Sequence, residues 1–199
     1  MEILILAAGS SQRFGPTNKI LQPWRNGRAQ VATVIAAVVT AGLALKPARL
    51  LVVTGYQAEL VQRSLAPFAD RIEFCPNPQW AEGMGTSLAA GARFLAQTTL
   101  PACPLMVLLG DMPLVETACL HQLAKVAREQ PGQIIQPTYR GLPGHPVIWP
   151  AELRPLLAEL RGDTGGKAVF ARLAQRVTRL DWPDDSVIRD IDRPEDYEA

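Results

Sequence analysis

The sequence is poor in the residues that build covalent or metal-held scaffolds. Its three cysteines, Cys75, Cys103 and Cys119, are odd in number and widely spaced, with no C-x-x-C pair. That pattern disfavours a disulfide framework and a zinc site and suits a reducing compartment. Only two histidines are present, His121 and His145, too far apart in sequence for a His-x-x-His-type metal motif. No apolar run approaches the ~20 residues of a membrane helix. The opening Met1–Gly9 has no basic leader and too short an apolar stretch for a signal peptide. A cytoplasmic protein with no membrane partner is expected. A charge of one sign is missing too: 20 Lys and Arg against 19 Asp and Glu give +1. No global field points to nucleic acid or an anionic surface, so any nucleotide site must be locally basic.

What is present reads as alternating strands and helices. Glu2–Leu6, Arg49–Thr54, Arg71–Cys75, Pro104–Leu109, Gln133–Gln136, Pro146–Trp149, Val177–Leu180 and Val187–Asp190 are expected to be extended. Between them Ala29–Ala44, Gln57–Leu65, Thr86–Gln97, Glu116–Glu129, Glu152–Leu160 and Lys167–Ala174 have helical composition or spacing. Strands apolar on both faces, interleaved with helices, predict a three-layer α/β sandwich with a mostly parallel sheet. With no repeat, low-complexity tract or linker, the 199 residues are expected to form one domain, 1–199. Ligands of such sheets bind at the carboxyl ends of the strands.

Five segments could carry chemistry there. The first is Leu6-Ala-Ala-Gly-Ser-Ser-Gln-Arg-Phe-Gly15 with Lys19 beyond it. Small residues after a strand free backbone N–H groups for an anion, and Arg13 and Lys19 could neutralise phosphate. It is not a P-loop, because Gly9 and Gly15 are one residue too far apart and no Gly-Lys-Ser/Thr follows. A plain strand-to-helix turn is the alternative. The second is Asp111, at the end of an apolar strand and before Met112-Pro113, where a carboxylate can meet Mg²⁺ or simply cap a helix. The third, Asp190-Ile-Asp192-Arg-Pro-Glu-Asp196, offers a second metal ligand or an acidic helix start. The fourth, Glu82-Gly-Met-Gly-Thr-Ser-Leu88, has two glycines that allow a ligand, or a hinge, close to the backbone. The fifth, Gly141-Leu-Pro-Gly-His145-Pro-Val, presents one histidine in a stiff turn, facing an acceptor or packed as structure. Together, an early phosphate loop, a mid-chain strand-end aspartate and a late acidic pair suit a triphosphate bound with Mg²⁺. Such a site works by positioning and charge neutralisation, without a protein nucleophile.

These motifs resemble those of the molybdopterin nucleotidyltransferases. The resemblance runs through Leu-Ala-Ala-Gly-x-Ser-x-Arg-Phe-Gly, Asn-Pro-x-Trp-x-x-Gly-Met-x-x-Ser-Leu, Gly-Asp-Met-Pro-Leu-Val, Gly-x-x-Gly-His-Pro-Val, Gly-Asp-x-Gly-Gly and Asp-Ile-Asp-x-Pro-Glu-Asp-Tyr. The opening loop is common to many sugar and alcohol nucleotidyltransferases, whereas Gly-His-Pro-Val with Asp-Ile-Asp-x-Pro-Glu-Asp is more specific. The resemblance implies a fold of the nucleotide-diphospho-sugar-transferase type. It implies that Ala7, Ala8, Gly9, Arg13 and Lys19 hold base and triphosphate, that Gly83 and Ser87 lie beside base and ribose, and that Asp111 and Asp192 bind Mg²⁺. His145 would lie on the acceptor side. The implied reaction moves CMP from CTP to the terminal phosphate of molybdenum-loaded molybdopterin, releasing pyrophosphate, and a client molybdoenzyme is an implied partner. Ala8, where guanylyl-transferring relatives carry Gly, points to the cytidylyl branch. The chain departs from the pattern twice. Three residues separate Gly15 from Lys19, one more than usual, and the family's Gly-Asp-x-Gly-Ala-Arg becomes Gly162–Lys167, which keeps the charge but loses the guanidinium fork. The rival readings are the same chemistry on a sugar or polyol phosphate, use of GTP, and a non-catalytic protein that delivers the cofactor.

Overall fold

The computed structural model describes residues 1–10, 17–25, 31–98, 101–164 and 167–191. Strand β1 (Glu2–Ala7) is apolar on both faces, with Ile3, Leu4 and Ile5 fully buried, which suits a central parallel strand. A small antiparallel hairpin follows, β2 (Pro23–Arg25) and β3 (Val31–Thr33). Thr33 ends the hairpin and caps α1 (Val34–Ala44), its side chain accepting from the Ala36 N–H. The Ala/Val-rich run expected to be wholly helical is therefore divided: β-branched Val31 and Thr33 suit a strand, and the hydroxyl cap sets the start of the helix.

The chain then alternates through β4 (Leu50–Thr54), α2 (Ala58–Ser64), β5 (Glu73–Pro76), α3 (Met84–Ala96), β6 (Leu105–Leu109) and α4 (Thr117–Glu129). The remaining elements are β7 (Ile134–Tyr139), β8 (Leu142–Pro143), β9 (Val147–Trp149), α5 (Arg154–Ala158), α6 (Lys167–Arg172) and β10 (Val177–Asp181). Among the described residues these strands, β2 and β3 aside, make one sheet in the order β10-β7-β9-β6-β1-β4-β5, with β8 on β7. Pairing is parallel except for β9 against β6 and β7, and β8 against β7. This is the mostly parallel α/β sandwich expected. Two departures are local. Residues 151–153 form a 3₁₀ turn ahead of α5, and Val187, expected to open the extended stretch Val187–Asp190, instead closes a 3₁₀ turn, Asp185–Val187, with the Asp184 side chain accepting from Ser186 N–H.

Both faces of the sheet are covered. Ile3, Ile5, Val52 and Met106 pack with α1 and α4 residues such as Val39, Leu120 and Leu123, while Leu4, Leu51, Val53 and Val107 pack with Leu88, Leu95 and Leu157 of α3 and α5. Each fully buried Leu or Ile contributes roughly 1.5–3 kcal/mol of transfer free energy. Among the described residues no helix is long and apolar enough to cross a membrane. The strand order places β6, β1, β4 and β5 side by side, so the turns leaving their carboxyl ends form one continuous rim.

Candidate functional site

That rim holds a cleft of about 420 Å³, lined by Ala8, Gly9 and Ser10 after β1, Asp111 after β6, and Trp80, Gly83, Met84 and Ser87 around the start of α3. Its volume is within the ~300–1,000 Å³ of small-molecule sites. Asp163 and Asp190 complete the wall. Three aspartates face this space, and among the described lining residues none is cationic.

The structure brings together several residues singled out in the sequence. Lys19 Nζ lies 2.7 Å from Asp111 Oδ2, both side chains mostly buried. Lys19 gets there because Asn18 caps a short 3₁₀ turn, Lys19–Leu21, with its side chain accepting from Ile20 N–H. The longer spacer before Lys19 thus still delivers its ammonium to the carboxylate at the end of β6. Ala7 and Ala8 are buried, and Gly9 and Ser87 border the cleft. Arg13 and Asp192 lie outside the described residues.

Ser87 is set by a neighbour that sequence reasoning left without a role. Asn77 Nδ2 donates to Ser87 Oγ and to Thr86 Oγ1, each at 3.0 Å, with all three residues buried. The Ser87 oxygen serves as acceptor in that bond, which leaves its proton for a further acceptor. Asn77 follows β5 directly, and its N–H donates to the Thr54 carbonyl. The Asn-Pro-x-Trp signature is thus the device that ties the β5 turn to the start of α3.

The Gly83–Gly85 pair is used differently from the expectation. Gly83 has φ +120°, and a Cβ there would sit 2.6 Å from the Asp163 backbone; one on Gly85 would sit 2.7 Å from the Gly162 carbonyl. The bareness at these positions admits the chain at 161–163 rather than clearing space for a ligand. Gly83 still borders the cleft, and the docked segment is what brings Asp163 to its wall.

The late acidic segment reaches Asp111 through the main chain. Ile191 N–H donates to the Asp111 carbonyl at 2.9 Å, and the Ile191 and Val187 side chains are buried. Asp190, to which the resemblance gives no role, lines the cleft. His145 belongs to the same anchorage: its N–H donates to the Val187 carbonyl at 2.7 Å. Its imidazole is not on the cleft wall, and Nδ1 is buried without a hydrogen-bond partner. Burial pushes this imidazole below the usual histidine range, against the opposing pull of the Asp111 charge and of a hydrogen bond to the Val107 backbone. Such a histidine sits neutral behind Asp111. The remaining cysteines stay outside the chemistry: burial raises the Cys119 thiol to about 12, and burial raises Cys75 as well.

The chain is 29% identical over 202 residues to nicotine blue oxidoreductase of Paenarthrobacter nicotinovorans, covering 96% of this chain and 92% of that protein. It is 39% identical over 130 residues to the bifunctional protein GlmU of Burkholderia ambifaria, a match spanning 65% of this chain and 26% of GlmU's length. In fold it is similar to the Rv0371c protein of Mycobacterium tuberculosis, with a TM-score of 0.80 and 25% identity over 100% of this chain and 96% of that one. That mycobacterial protein has also been crystallised as a complex with manganese. Residues 3–177 match the MobA-like NTP transferase domain, and the chain belongs to that nucleotidyltransferase family.

Proposed function

We propose that the protein transfers CMP from CTP to the terminal phosphate of a molybdopterin-type acceptor, with Mg²⁺, releasing pyrophosphate. The observation that carries the reading is the pairing of Lys19 with Asp111, a wall residue of a cleft that Asp190 also lines. Lined by carboxylates, this space repels a triphosphate that arrives alone and suits one that arrives with a divalent cation. The donor set fits such an ion. Oxygen ligands are offered by Asp111 with Asp190 or Asp192, and among the described residues no cluster of three His, Cys, Asp or Glu could cage a metal by protein groups alone. Mg²⁺ prefers that arrangement, taking one or two carboxylates and completing its shell with phosphates and water. The manganese complex of the mycobacterial relative agrees with a divalent ion here. When bound, the ion supplies charge neutralisation at the phosphates.

The chain's own groups do the rest. The acceptor's phosphate oxygen attacks the α-phosphorus, the bond to the β-phosphate oxygen breaks, and pyrophosphate leaves. Lys19 and Arg13 offset negative charge on the triphosphate, and the N–H groups of the Gly9–Ser10 turn, on the cleft wall, are assigned to phosphate oxygens. The free Ser87 hydroxyl proton is assigned to the ribose or base edge. His145 acts from behind, holding the segment that carries Asp190 in place. A molybdopterin acceptor and a client molybdoenzyme rest on the Gly-His-Pro-Val and Asp-Ile-Asp signatures. The test is pyrophosphate release from each NTP with loaded molybdopterin, unloaded molybdopterin, and sugar or polyol phosphates. Turnover with a sugar phosphate and none with molybdopterin moves the acceptor and leaves the transfer chemistry intact.

Two outcomes follow for the nucleotide. CTP is expected to be preferred over GTP and ATP by at least about tenfold in kcat/KM, ~1.4 kcal/mol, because Ala8, which lines the cleft, adds a methyl where the guanylyl-transferring relatives carry glycine. A GTP preference would overturn the cytidylyl assignment. Lys19→Ala is expected to lower kcat/KM by about 30-fold, ~2 kcal/mol, since it removes a phosphate cation and strips Asp111 of its partner. Arg13→Ala should cost a similar factor. Steady-state rates beside thermal unfolding separate these losses from misfolding, and a loss under threefold for both variants counts against the loop.

A further inference from the structure

We propose that Trp80 is the wall on which the nucleobase packs and that Gly55 is the residue that lets it stand there. The proposal rests on the nucleotidyl-transfer reading above and adds a determinant of nucleotide binding to it. Trp80 is half-buried: part of the indole packs on the core of the α3 face, and part borders the cleft beside Ala8, Gly83 and Ser87. Its position is over-determined. A Cβ on Gly55 would fall 2.5 Å from Trp80 Cβ, 2.7 Å from its Cγ and 2.8 Å from Ala8 Cβ. Only the missing side chain allows the indole to close onto the β4 turn and onto Ala8. Tyr56 backs it, with ring centroids 5.6 Å apart and planes tilted by 56°, and Tyr56 N–H donates to the Ala8 carbonyl at 3.2 Å. The Trp80 N–H donates to the Asn77 carbonyl, and the Gly83 N–H donates to that of Trp80.

An indole fixed in this way on the wall of an acid-lined cleft offers a flat apolar surface, which no phosphate needs. The sheet order decides which flat group reaches it. Along the rim, Asp111 follows β6, the Ala8–Ser10 turn follows β1, Gly55 and Tyr56 follow β4, and Trp80 follows β5. Strands ~4.8 Å apart put the β4–β5 end roughly 10–14 Å from the Asp111 end. A nucleotide laid along the rim with its phosphates toward Asp111 carries its base, through the ribose, to the Trp80 end. The acceptor must approach the α-phosphorus itself, at the Asp111 end. Packing on indole stabilises any base plane, so Trp80 sets nucleotide affinity, while the choice among bases falls to the edges around Ala8.

The experiment measures separate KM values for CTP and acceptor in the full chain, for Trp80→Ala, Trp80→Phe, Gly55→Ala and the Gly55→Ala/Trp80→Ala pair, with thermal unfolding alongside. Trp80→Ala is expected to raise the CTP KM at least tenfold, acting chiefly through KM, with the acceptor KM unchanged, and Trp80→Phe should recover most of the loss. Gly55→Ala should raise the CTP KM, and in the pair with Trp80→Ala it should add less than it costs alone, because the ring contact is gone while the Cβ atoms at positions 80 and 8 remain. A CTP KM unmoved by Trp80→Ala, or a rise in the acceptor KM instead, overturns the wall and leaves the transfer reading standing. If the unmodified chain releases no pyrophosphate from any NTP and acceptor, the transfer reading falls and the wall falls with it.

Discussion

Asp111→Asn is expected to lower turnover by about a thousandfold or more, ~4 kcal/mol in the barrier. Asparagine keeps the size of the side chain and an oxygen that can accept a hydrogen bond, so the change isolates the negative charge. In the structure that charge meets Lys19 at 2.7 Å, at the end of a strand whose side chains Leu105–Leu108 are buried. Its loss acts on both roles proposed for the residue. The divalent ion loses a formal charge from its shell, and the Lys19 ammonium loses the anion that orients it. The fold has little to lose, because the Asp111 carbonyl, which receives the Ile191 N–H, is untouched. Pyrophosphate release and thermal unfolding, measured on the same preparation, decide the matter. Near-normal turnover at saturating Mg²⁺ would remove Asp111 from the chemistry, whereas a collapse of unfolding temperature with activity would make it structural.

The scaffold of this site was legible because its signals are local. Runs such as Leu50–Thr54 and Leu105–Leu109 are apolar on successive residues, which marks a strand buried on both faces, and the alternation with helices predicts the layers. Asp111 at a strand end and Lys19 after a phosphate-type loop could be named for the same reason. What escaped depends on contacts between distant segments. Strand β3 hides in an Ala/Val-rich run that is equally suited to a helix until the Thr33 cap is seen. The Gly83–Gly85 pair has the composition of a ligand-binding turn, yet its open side is filled by residues 161–163, some eighty positions away in the chain. The flanking glycines and prolines leave His145 free to face an acceptor or to pack as structure, and what decides between them, its neighbours Val187 and Asp111, comes from two other parts of the sequence. Spacing can nominate a residue for a rim. Which way it faces is set by the segment packed behind it.

The late acidic segment is where that distinction has the largest consequence. The resemblance assigns the second metal ligand to Asp192, and the structure lines the cleft with Asp190, two residues earlier. Ile191 between them is buried and bonded through its N–H to the Asp111 carbonyl, which pins the segment beside the first ligand. Asp192→Asn is expected to raise the Mg²⁺ concentration for half-maximal pyrophosphate release by tenfold or more and to cut the maximal rate steeply. Asparagine caps a helix about as well as aspartate, so a residue that only caps would barely register the change. Asp190→Asn is expected to weaken turnover by a smaller factor through the field it exerts on the cleft, since a charge near an ion acts without ligating it. Asp196→Asn, in the same acidic run, provides the comparison for a charge with no assigned metal role. A Mg²⁺ titration of the three single variants, with thermal unfolding run in parallel, distinguishes the assignments. If the shift in Mg²⁺ requirement appears in Asp190→Asn and Asp192→Asn titrates like the unmodified chain, the ligand is Asp190. If none of the three moves the Mg²⁺ midpoint, the acidic segment is structural, and the ion's protein contact reduces to Asp111, with the substrate's phosphates completing its shell.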